Sequence, residues 1–198
     1  PDGTLWVGTV DGGLNRRAAG EKTFTHFTIS NSPLIHNSVS TLIANGRTLW
    51  IGTWGGGMYW LDMDNPQTIH RLEVQPEYAR LILHVGALAY DNRNQGLWIG
   101  SNDGIFFYDS RSHKMLMPFD GCDLVRGCIG SLIDSRGRLW MGCMTGMRVI
   151  VLHSRRNGKF VCDSYMYKLD NPQSQLIDKI TCFCETRDSS IYVGSNGN

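Results

Sequence analysis

The chain has 198 residues, of which 41% are hydrophobic and 19% are charged, and its formal net charge is +1. This composition is typical of a globular protein, and the even balance of charge argues against a nucleic-acid groove or an anionic membrane surface as the partner. No apolar run approaches the roughly 18 residues of a membrane-spanning helix. Twenty-three glycines against six prolines indicate many tight turns.

One pattern, Leu-Trp-x-Gly, recurs along the whole chain. Four copies begin at Leu5, Leu49, Leu97 and Leu139, and a variant, Ile-Tyr-Val-Gly, begins at Ile191. Successive aromatic residues of the pattern are 42 to 52 residues apart. A period of this length, built on short apolar runs and Gly-rich turns, is typical of a β-propeller. We call these aromatic positions the signature aromatics: Trp6, Trp50, Trp98, Trp140 and Tyr192.

Each copy predicts four strands, which we name a to d. Strand a is a short run of β-branched and small residues, as expected of a buried strand. It is predicted at 39–44, 85–90, 129–134 and 180–185. After an Asp, Asn and Gly turn comes strand b, which carries the signature. Its aromatic residue and glycine are two apart and face one side, so the ring packs between sheets while the glycine permits close approach of a neighbour.

Strand b ends in a small residue, and a Gly-rich b–c turn follows. Strand c is predicted at 14–16, 58–61, 105–108 and 147–152. A shorter strand d is predicted at 24–27, 69–72, 114–117 and 160–167. Four antiparallel strands per copy make a propeller blade, and no long window shows helical periodicity. The predicted fold class is therefore an all-β propeller with about four blades.

The copies predict one partial propeller over residues 1–198. The predicted blades are 4–28 (partial), 39–72, 85–117, 129–167 and 180–195 (partial). Because the sequence starts and stops in mid-copy, we expect a fragment of a longer protein. We favour an arc of a larger ring, since closing a small ring by pairing 180–185 with 5–9 would leave the strand at 191–195 redundant. An open arc exposes apolar faces, so we expect it to pair with another copy or with the remaining blades.

The motif Leu-Trp-Ile-Gly-Thr-x-Gly-Gly-Gly-Met, preceded by Val-x-x-Leu-Ile and an Asn-Gly turn, resembles the two-component regulator propeller repeat. Residues 39–62 carry the fullest copy, and 4–15 follow it as far as they extend. The third and fourth copies depart from the pattern, with a single glycine, Gly104 or Gly146, where it has two. The fifth copy has Tyr192 in place of tryptophan.

The resemblance implies a seven-bladed propeller in the periplasmic sensor region of a Bacteroidetes-type hybrid two-component system. In such proteins a membrane helix, a histidine kinase, a receiver and a DNA-binding module usually follow. Well-known members respond to oligosaccharides and switch on glycan-use genes. The resemblance therefore implies an oligosaccharide ligand, a periplasmic location and no cofactor. It implies neither direct nucleic-acid binding nor membrane contact by this segment.

The b–c turns and the d–a connectors emerge on one face of a propeller, which by analogy of fold is the usual ligand platform. The d–a connectors are the longest and least alike segments here, and variable loops on a repeated scaffold tend to carry specificity. The candidate ligand-binding residues in these loops are Trp54, Asn102, Asp103, His36, Arg80, His84, Arg126 and Asp178. Trp54 stands out, since a bare indole beside glycine can stack on a sugar ring. The alternative is that Trp54 packs on the next blade.

The signature tryptophans, Trp6, Trp50, Trp98 and Trp140, recur at one position of the copies, so we interpret them as core residues. The six cysteines all follow residue 121. Cys143, Cys182 and Cys184 occupy small or apolar positions of the repeat, so we interpret them as packing residues. Zinc-type spacing is absent, and no metal site is predicted. Cys122 and Cys128 could be bridged in an oxidising compartment.

Catalysis has little support in the sequence. There is no nucleophile elbow, no His-Glu-x-x-His motif and no P-loop. The leading interpretation is a non-catalytic sensor that passes a conformational bias to a kinase. The alternatives are a propeller lyase, for which His36 and His84 are candidate bases, a sialidase, which would need an arginine cluster and a tyrosine nucleophile, and a scaffold that binds other proteins.

Overall fold

The computed structural model describes residues 3–117, 126–144, 148–156, 159–166 and 179–196. These residues form β-strands joined by turns, with a single short helix. The chain divides into two compact units, residues 1–85 and 86–198. Among the described residues, no helix is long and apolar enough to cross a membrane.

The first unit contains two antiparallel sheets, each built from strands that follow one another in the chain. The first sheet consists of β1 (Leu5–Gly8), β2 (Leu14–Arg17) and β3 (Thr25–Phe27). The second consists of β4 (Val39–Asn45), β5 (Thr48–Thr53), β6 (Met58–Asp62) and β7 (Ile69–Arg71). A helical turn, α1 (Pro76–Ala79), then lies in the connector that leads to the next sheet. The sequence had given no sign of this helix.

The second unit contains three further antiparallel sheets. The third sheet consists of β8 (Val85–Asp91), β9 (Gly96–Ser101), β10 (Ile105–Asp109) and β11 (Lys114–Leu116). The fourth consists of β12 (Cys128–Ile133), β13 (Leu139–Cys143), β14 (Arg148–Arg156) and β15 (Lys159–Met166). The fifth consists of β16 (Ile180–Glu185) and β17 (Ile191–Ser195). Consecutive four-stranded antiparallel sheets are propeller blades, so the predicted fold class is confirmed.

The signature glycine fits sheets together within each unit. A Cβ added to Gly8 would lie 2.6 Å from Val39 Cγ1, and one added to Gly142 would lie 2.6 Å from Ile180 Cγ2. Gly52 and Gly100 make the equivalent approaches to Val85 and Cys128, at 2.8 and 2.6 Å. Each contacted residue is the first of the following strand a. The glycine is therefore required because a side chain would occupy the space of the neighbouring strand.

The signature aromatics differ in burial. Trp50 and Trp98 are buried, and Trp6 and Trp140 are half-buried. Tyr192, at the equivalent position of the fifth copy, is 65% exposed. Tyr192 lies on β17, which pairs only with β16 among the described residues, so no third strand and no further sheet covers its ring there.

A buried carboxylate holds the indole in two sheets of the second unit. Trp98 Nε1 donates to Asp91 Oδ2 at 3.2 Å, and Trp140 Nε1 donates to Asp134 Oδ2 at 2.8 Å. Both aspartates are over 90% buried. These residues, which the sequence suggests only as turn formers, thus satisfy the one polar atom of a core indole.

The cysteine interpretation is correct only in part. Cys143 is buried, as expected, but Cys182 and Cys184 are exposed. They lie on β16, whose only hydrogen-bonded partner strand among the described residues is β17. Cys128 lies against Cys143, and Cys122 lies outside the described residues.

Candidate functional site

The small residue at the end of strand b fixes the b–c turn that follows it. Thr53 Oγ1 donates to Gly57 O at 2.8 Å and accepts from the Gly56 amide at 3.0 Å. Thr9 makes the same pair of hydrogen bonds in the first sheet, to Gly13 O and from the Gly12 amide. In the third sheet, Ser101 Oγ donates to Gly104 O and accepts from the Asp103 amide. The hydroxyl recurs because it caps a turn, a role that the sequence analysis did not assign.

Backbone hydrogen bonds join the b–c turns to the d–a connectors. In the first unit the Gly13 amide donates to Asn37 O at 2.9 Å, and the Gly55 amide donates to Leu83 O at 2.8 Å. In the second unit the Gly127 amide donates to Asn102 O at 3.2 Å. In each unit these two kinds of loop therefore lie side by side, as the fold analogy predicts.

Trp54 is the centre of the loop cluster in the first unit. Its amide donates to Ser38 O at 2.8 Å, and its backbone forms an isolated antiparallel bridge with His84. The half-buried indole meets the His84 ring edge-on, with centroids 5.5 Å apart and planes at 75°. The indole is therefore held from both its backbone and its ring.

His36 lies on the other side of the same turn. Gly55 has a φ of +125°, and a Cβ there would lie 2.9 Å from His36 Cδ2. His36 is exposed, and its Nδ1 accepts from the Ser38 amide at 3.1 Å. In the neutral imidazole the proton is therefore on Nε2. The structure thus brings together three of the candidate residues, Trp54, His84 and His36.

A cleft of about 450 Å³ adjoins this turn. Gly57 lines it together with Arg71, Glu73 and Ile82, so the lining includes a guanidinium, a carboxylate and an apolar side chain. Its volume lies within the range of small-molecule sites. Arg80, which follows α1, is exposed and makes no hydrogen bond or ion pair with the three clustered residues. Arg71 and Glu73 are not among the candidates from sequence, because Arg71 lies in the predicted strand d and Glu73 is one of many polar residues in the connector that follows it.

The candidate residues of the second unit form a separate group. Asn102 and Asp103 lie half-buried in the b–c turn of the third sheet, and the Asp103 amide donates to Ser101 Oγ at 3.0 Å. Arg126 is exposed and directly precedes Gly127, which binds the Asn102 carbonyl. The backbone thus brings the residue next to Arg126 against the turn that carries Asn102 and Asp103. Asp178 lies outside the described residues.

No group of three or more His, Cys, Asp or Glu side chains suited to a metal ion occurs in the part of the chain that the structure describes. The side chains of the two loop clusters offer ring stacking and hydrogen bonding to polar groups.

Comparison with known proteins shows which solved structures share the fold of this chain. No protein-family model matches the chain, and no curated protein matches it. Among solved structures, the extracellular domain of BT4673, described as a hybrid two-component system of B. thetaiotaomicron, is 20% identical with a TM-score of 0.81. The match covers 98% of this chain and 25% of that one.

Two further solved structures have the same fold. The extracellular domain of BT3049, from another hybrid two-component system of B. thetaiotaomicron, is 18% identical with a TM-score of 0.74, over 98% of this chain and 24% of that one. Virginiamycin B lyase from Staphylococcus aureus is 12% identical with a TM-score of 0.70, over 98% and 60%. This chain thus spans about a quarter of the extracellular domains that it matches. The expected likeness to the sensor regions of hybrid two-component systems is confirmed at the level of fold.

Proposed function

We propose that this chain is part of an extracytoplasmic ligand-sensing propeller of a hybrid two-component regulator. In this proposal it binds an oligosaccharide at the loop cluster of the first unit, performs no catalysis itself, and signals to a histidine kinase that controls glycan-use genes. The fold that it shares with the extracellular domains of BT4673 and BT3049 supports a sensor.

The observation that supports a sugar ligand is the fixed indole of Trp54. A backbone bridge and an edge contact with His84 hold it half-buried, so little conformational entropy is lost when a ligand stacks on it. The apolar C–H face of a sugar ring suits such an indole. The nearby imidazoles, together with Arg71 and Glu73 of the cleft, supply donors and acceptors for hydroxyl groups.

Signalling then requires that the ligand bind one conformation of the sensor more tightly than another. A ligand shifts an equilibrium only by its difference in affinity for the two states. Trp54 belongs to the b–c turn, and its backbone and ring contact His84 in the neighbouring connector. A ligand stacked on the indole is therefore linked to two loops at once. A change in the spacing of these two loops would alter the affinity of the sensor for its ligand.

The test is a thermal-shift screen of the protein with its complete propeller against plant, host and microbial oligosaccharides. We expect one glycan class to raise the melting temperature in a dose-dependent way, and Trp54→Ala to require about tenfold more glycan for the same rise. Trp60→Ala is the matched control, because Trp60 is also half-buried and stacks on His70 at 4.4 Å, on strands β6 and β7 rather than in the loops. The Trp60→Ala variant should keep the glycan-induced rise in melting temperature.

A flat response from a folded sample would contradict the proposal. Equal loss of the response in both tryptophan variants would contradict the assignment of the site to Trp54. Chromatography of the ligand after incubation adds a further check, since a cleaved glycan would contradict a non-catalytic role.

A second candidate function, docking of another protein, is favoured by three exposed aliphatic side chains in the loops of the first unit. Val10, Ile29 and Ile35 are 72, 56 and 55% exposed. Asn37 joins two of these loops, since its side chain accepts from the Ile29 amide and its carbonyl accepts from the Gly13 amide. Sedimentation of the protein with and without the identified glycan separates the two functions. Docking would be favoured if the protein self-associates, if Ile35→Asn removes this self-association, and if no glycan raises the melting temperature.

A further inference from the structure

Cys128 and Cys143 face each other across β12 and β13. They are register partners, both are buried, and their Sγ atoms are 3.4 Å apart. The adjacent pair is joined by a hydrogen bond from the Met144 amide to Gly127 O at 2.9 Å. Hydrogen-bonded and non-hydrogen-bonded pairs alternate along antiparallel strands, so Cys128 and Cys143 are a non-hydrogen-bonded pair.

This position meets the geometric requirement of a disulfide. In a non-hydrogen-bonded pair the Cα atoms are about 4.5 Å apart, and disulfides span Cα distances of about 4.4 to 6.8 Å. The sulfur atoms need to approach by little more than 1 Å to reach the bond length of about 2.05 Å. Gly100 leaves room on this side, since a Cβ there would lie 2.6 Å from Cys128 Cβ.

We propose that Cys128 and Cys143 form a cross-strand disulfide when the protein folds in an oxidising compartment, by exchange with a small-molecule or protein disulfide. The Cys128 thiolate attacks one sulfur of the oxidant, forms a mixed disulfide and releases the first oxidant thiol. The Cys143 thiolate then attacks Cys128 Sγ and releases the second. The two cysteines lose two protons and two electrons, and the oxidant disulfide is reduced to two thiols.

The surroundings of the pair determine when the bond forms. The hydrogen bond with Cys143, together with burial, raises the pKa of the Cys128 thiol well above its ordinary value. The thiolate is the reactive form, so the folded, reduced protein reacts slowly. We therefore expect the bond to form during folding, before β12 and β13 are covered, and to resist reductants afterwards.

The disulfide would fasten one candidate loop. Gly127 precedes Cys128, and its amide donates to Asn102 O at 3.2 Å, while its carbonyl accepts from the residue after Cys143. The covalent link would hold Gly127, and with it the backbone of Arg126, against the turn that contains Asn102 and Asp103. The disulfide would form regardless of which ligand the protein binds.

Tryptic mapping without reduction tests the bond directly. Cleavage at lysine and arginine places Cys128 in peptide 127–136, Cys143 in 139–148 and Cys122 in 115–126. Protein refolded with oxidised and reduced glutathione, alkylated and digested should yield 127–136 linked to 139–148, and reduction should separate them. Alkylated 127–136, or its linkage to 115–126 as the sequence spacing suggested, would overturn the proposal.

A stability measurement provides a second test. For a loop of this length in a domain of this size, the reductant-dependent fall in melting temperature should be roughly 6 to 12 °C. The double variant Cys128→Ala/Cys143→Ala should lose this dependence, and Cys182→Ser/Cys184→Ser should retain it, because those exposed thiols lie on β16. Dependence that persists in the alanine double variant would contradict the assignment.

Discussion

Asp134 shows how one buried side chain organises a whole blade. Its carboxylate accepts from the Trp140 indole at 2.8 Å, from the Arg138 amide at 2.8 Å and from Arg138 Nε at 2.6 Å. The Arg138 guanidinium also lies over the Trp140 ring, 5.1 Å from its centroid. Burial alone would raise the pKa of the Asp134 carboxyl, but these hydrogen bonds and the positive charge outweigh burial and lower it.

The lowered pKa predicts a specific pH dependence. As pH falls, the unfolded chain takes up the proton first, so the contribution of Asp134 to stability is present above about pH 4 and is lost below it. Asp134→Asn should lower the free energy of unfolding at pH 7 by about 1–3 kcal/mol and should lose less on acidification. Urea unfolding of both proteins at pH 7 and pH 3 measures this. Equal losses in the two proteins would show that Asp134 does not carry the effect.

The close packing around Gly52 predicts that a single added methyl group lowers the stability of the fold. In Gly52→Ala the new Cβ would lie 2.6 Å from Thr41 Cγ2 and 2.8 Å from Val85 Cγ1, so overpacking should reduce the free energy of unfolding by about 1–3 kcal/mol. Gly46→Asn is the control, because Gly46 has open space around it and a φ of +57°, which asparagine tolerates. Chemical denaturation of the two variants should separate them, and similar costs would refute the packing argument.

At the scale of elements, the b–c turn depends on the residue that caps it. Thr53 is fully buried and bonds both Gly56 and Gly57. Thr53→Val keeps the shape but leaves the buried Gly56 amide without its acceptor, so it should cost about 1–3 kcal/mol. Thr53→Ser retains the hydroxyl and should cost less. Denaturant midpoints that do not distinguish the two variants would show that the cap contributes nothing.

The strands could be predicted from sequence because their signal is local and repeated. Strand a of the second copy was expected at 39–44 and is found at Val39–Asn45. The signature glycine was expected to receive a neighbouring strand, and it does. The four-residue helix α1 was missed because a single turn has no periodicity, and it lies within a connector expected to be irregular.

The side-chain partners could not be predicted in the same way. Asp134 and Trp140 meet because a hairpin folds one towards the other, which residue spacing alone does not reveal. Similarly, proximity in sequence suggested Cys122 as the partner of Cys128, whereas strand register places Cys143 opposite it. Of the candidate ligand residues, the structure joined Trp54 with His84 and His36 because the connector returns to the b–c turn. Register and loop return are set by the whole sheet, not by the individual motif.

At the scale of the whole molecule, the repeated scaffold separates stability from recognition. The indole, the signature glycine and the turn cap recur from copy to copy, so they set how each blade is built. In a repeat protein, stability is carried by such units and their nearest neighbours. Of the b–c turns in the sequence, only the second contains a tryptophan, Trp54. Its contacts with His84 and Ser38 involve loops. Its replacement should therefore alter ligand response more than folding.

Under the proposed function, this separation predicts how the parent protein responds to a glycan. In cells carrying the parent protein and a reporter of its target promoter, Trp54→Ala should raise the half-maximal glycan concentration about tenfold, corresponding to about 1.4 kcal/mol of lost binding. It should leave the maximal response intact, because the variant weakens binding without changing the two signalling states. Trp60→Ala should leave both values unchanged. A lower maximum with the same half-maximal concentration would instead place Trp54 in signal transmission, and the ligand would then have to bind elsewhere.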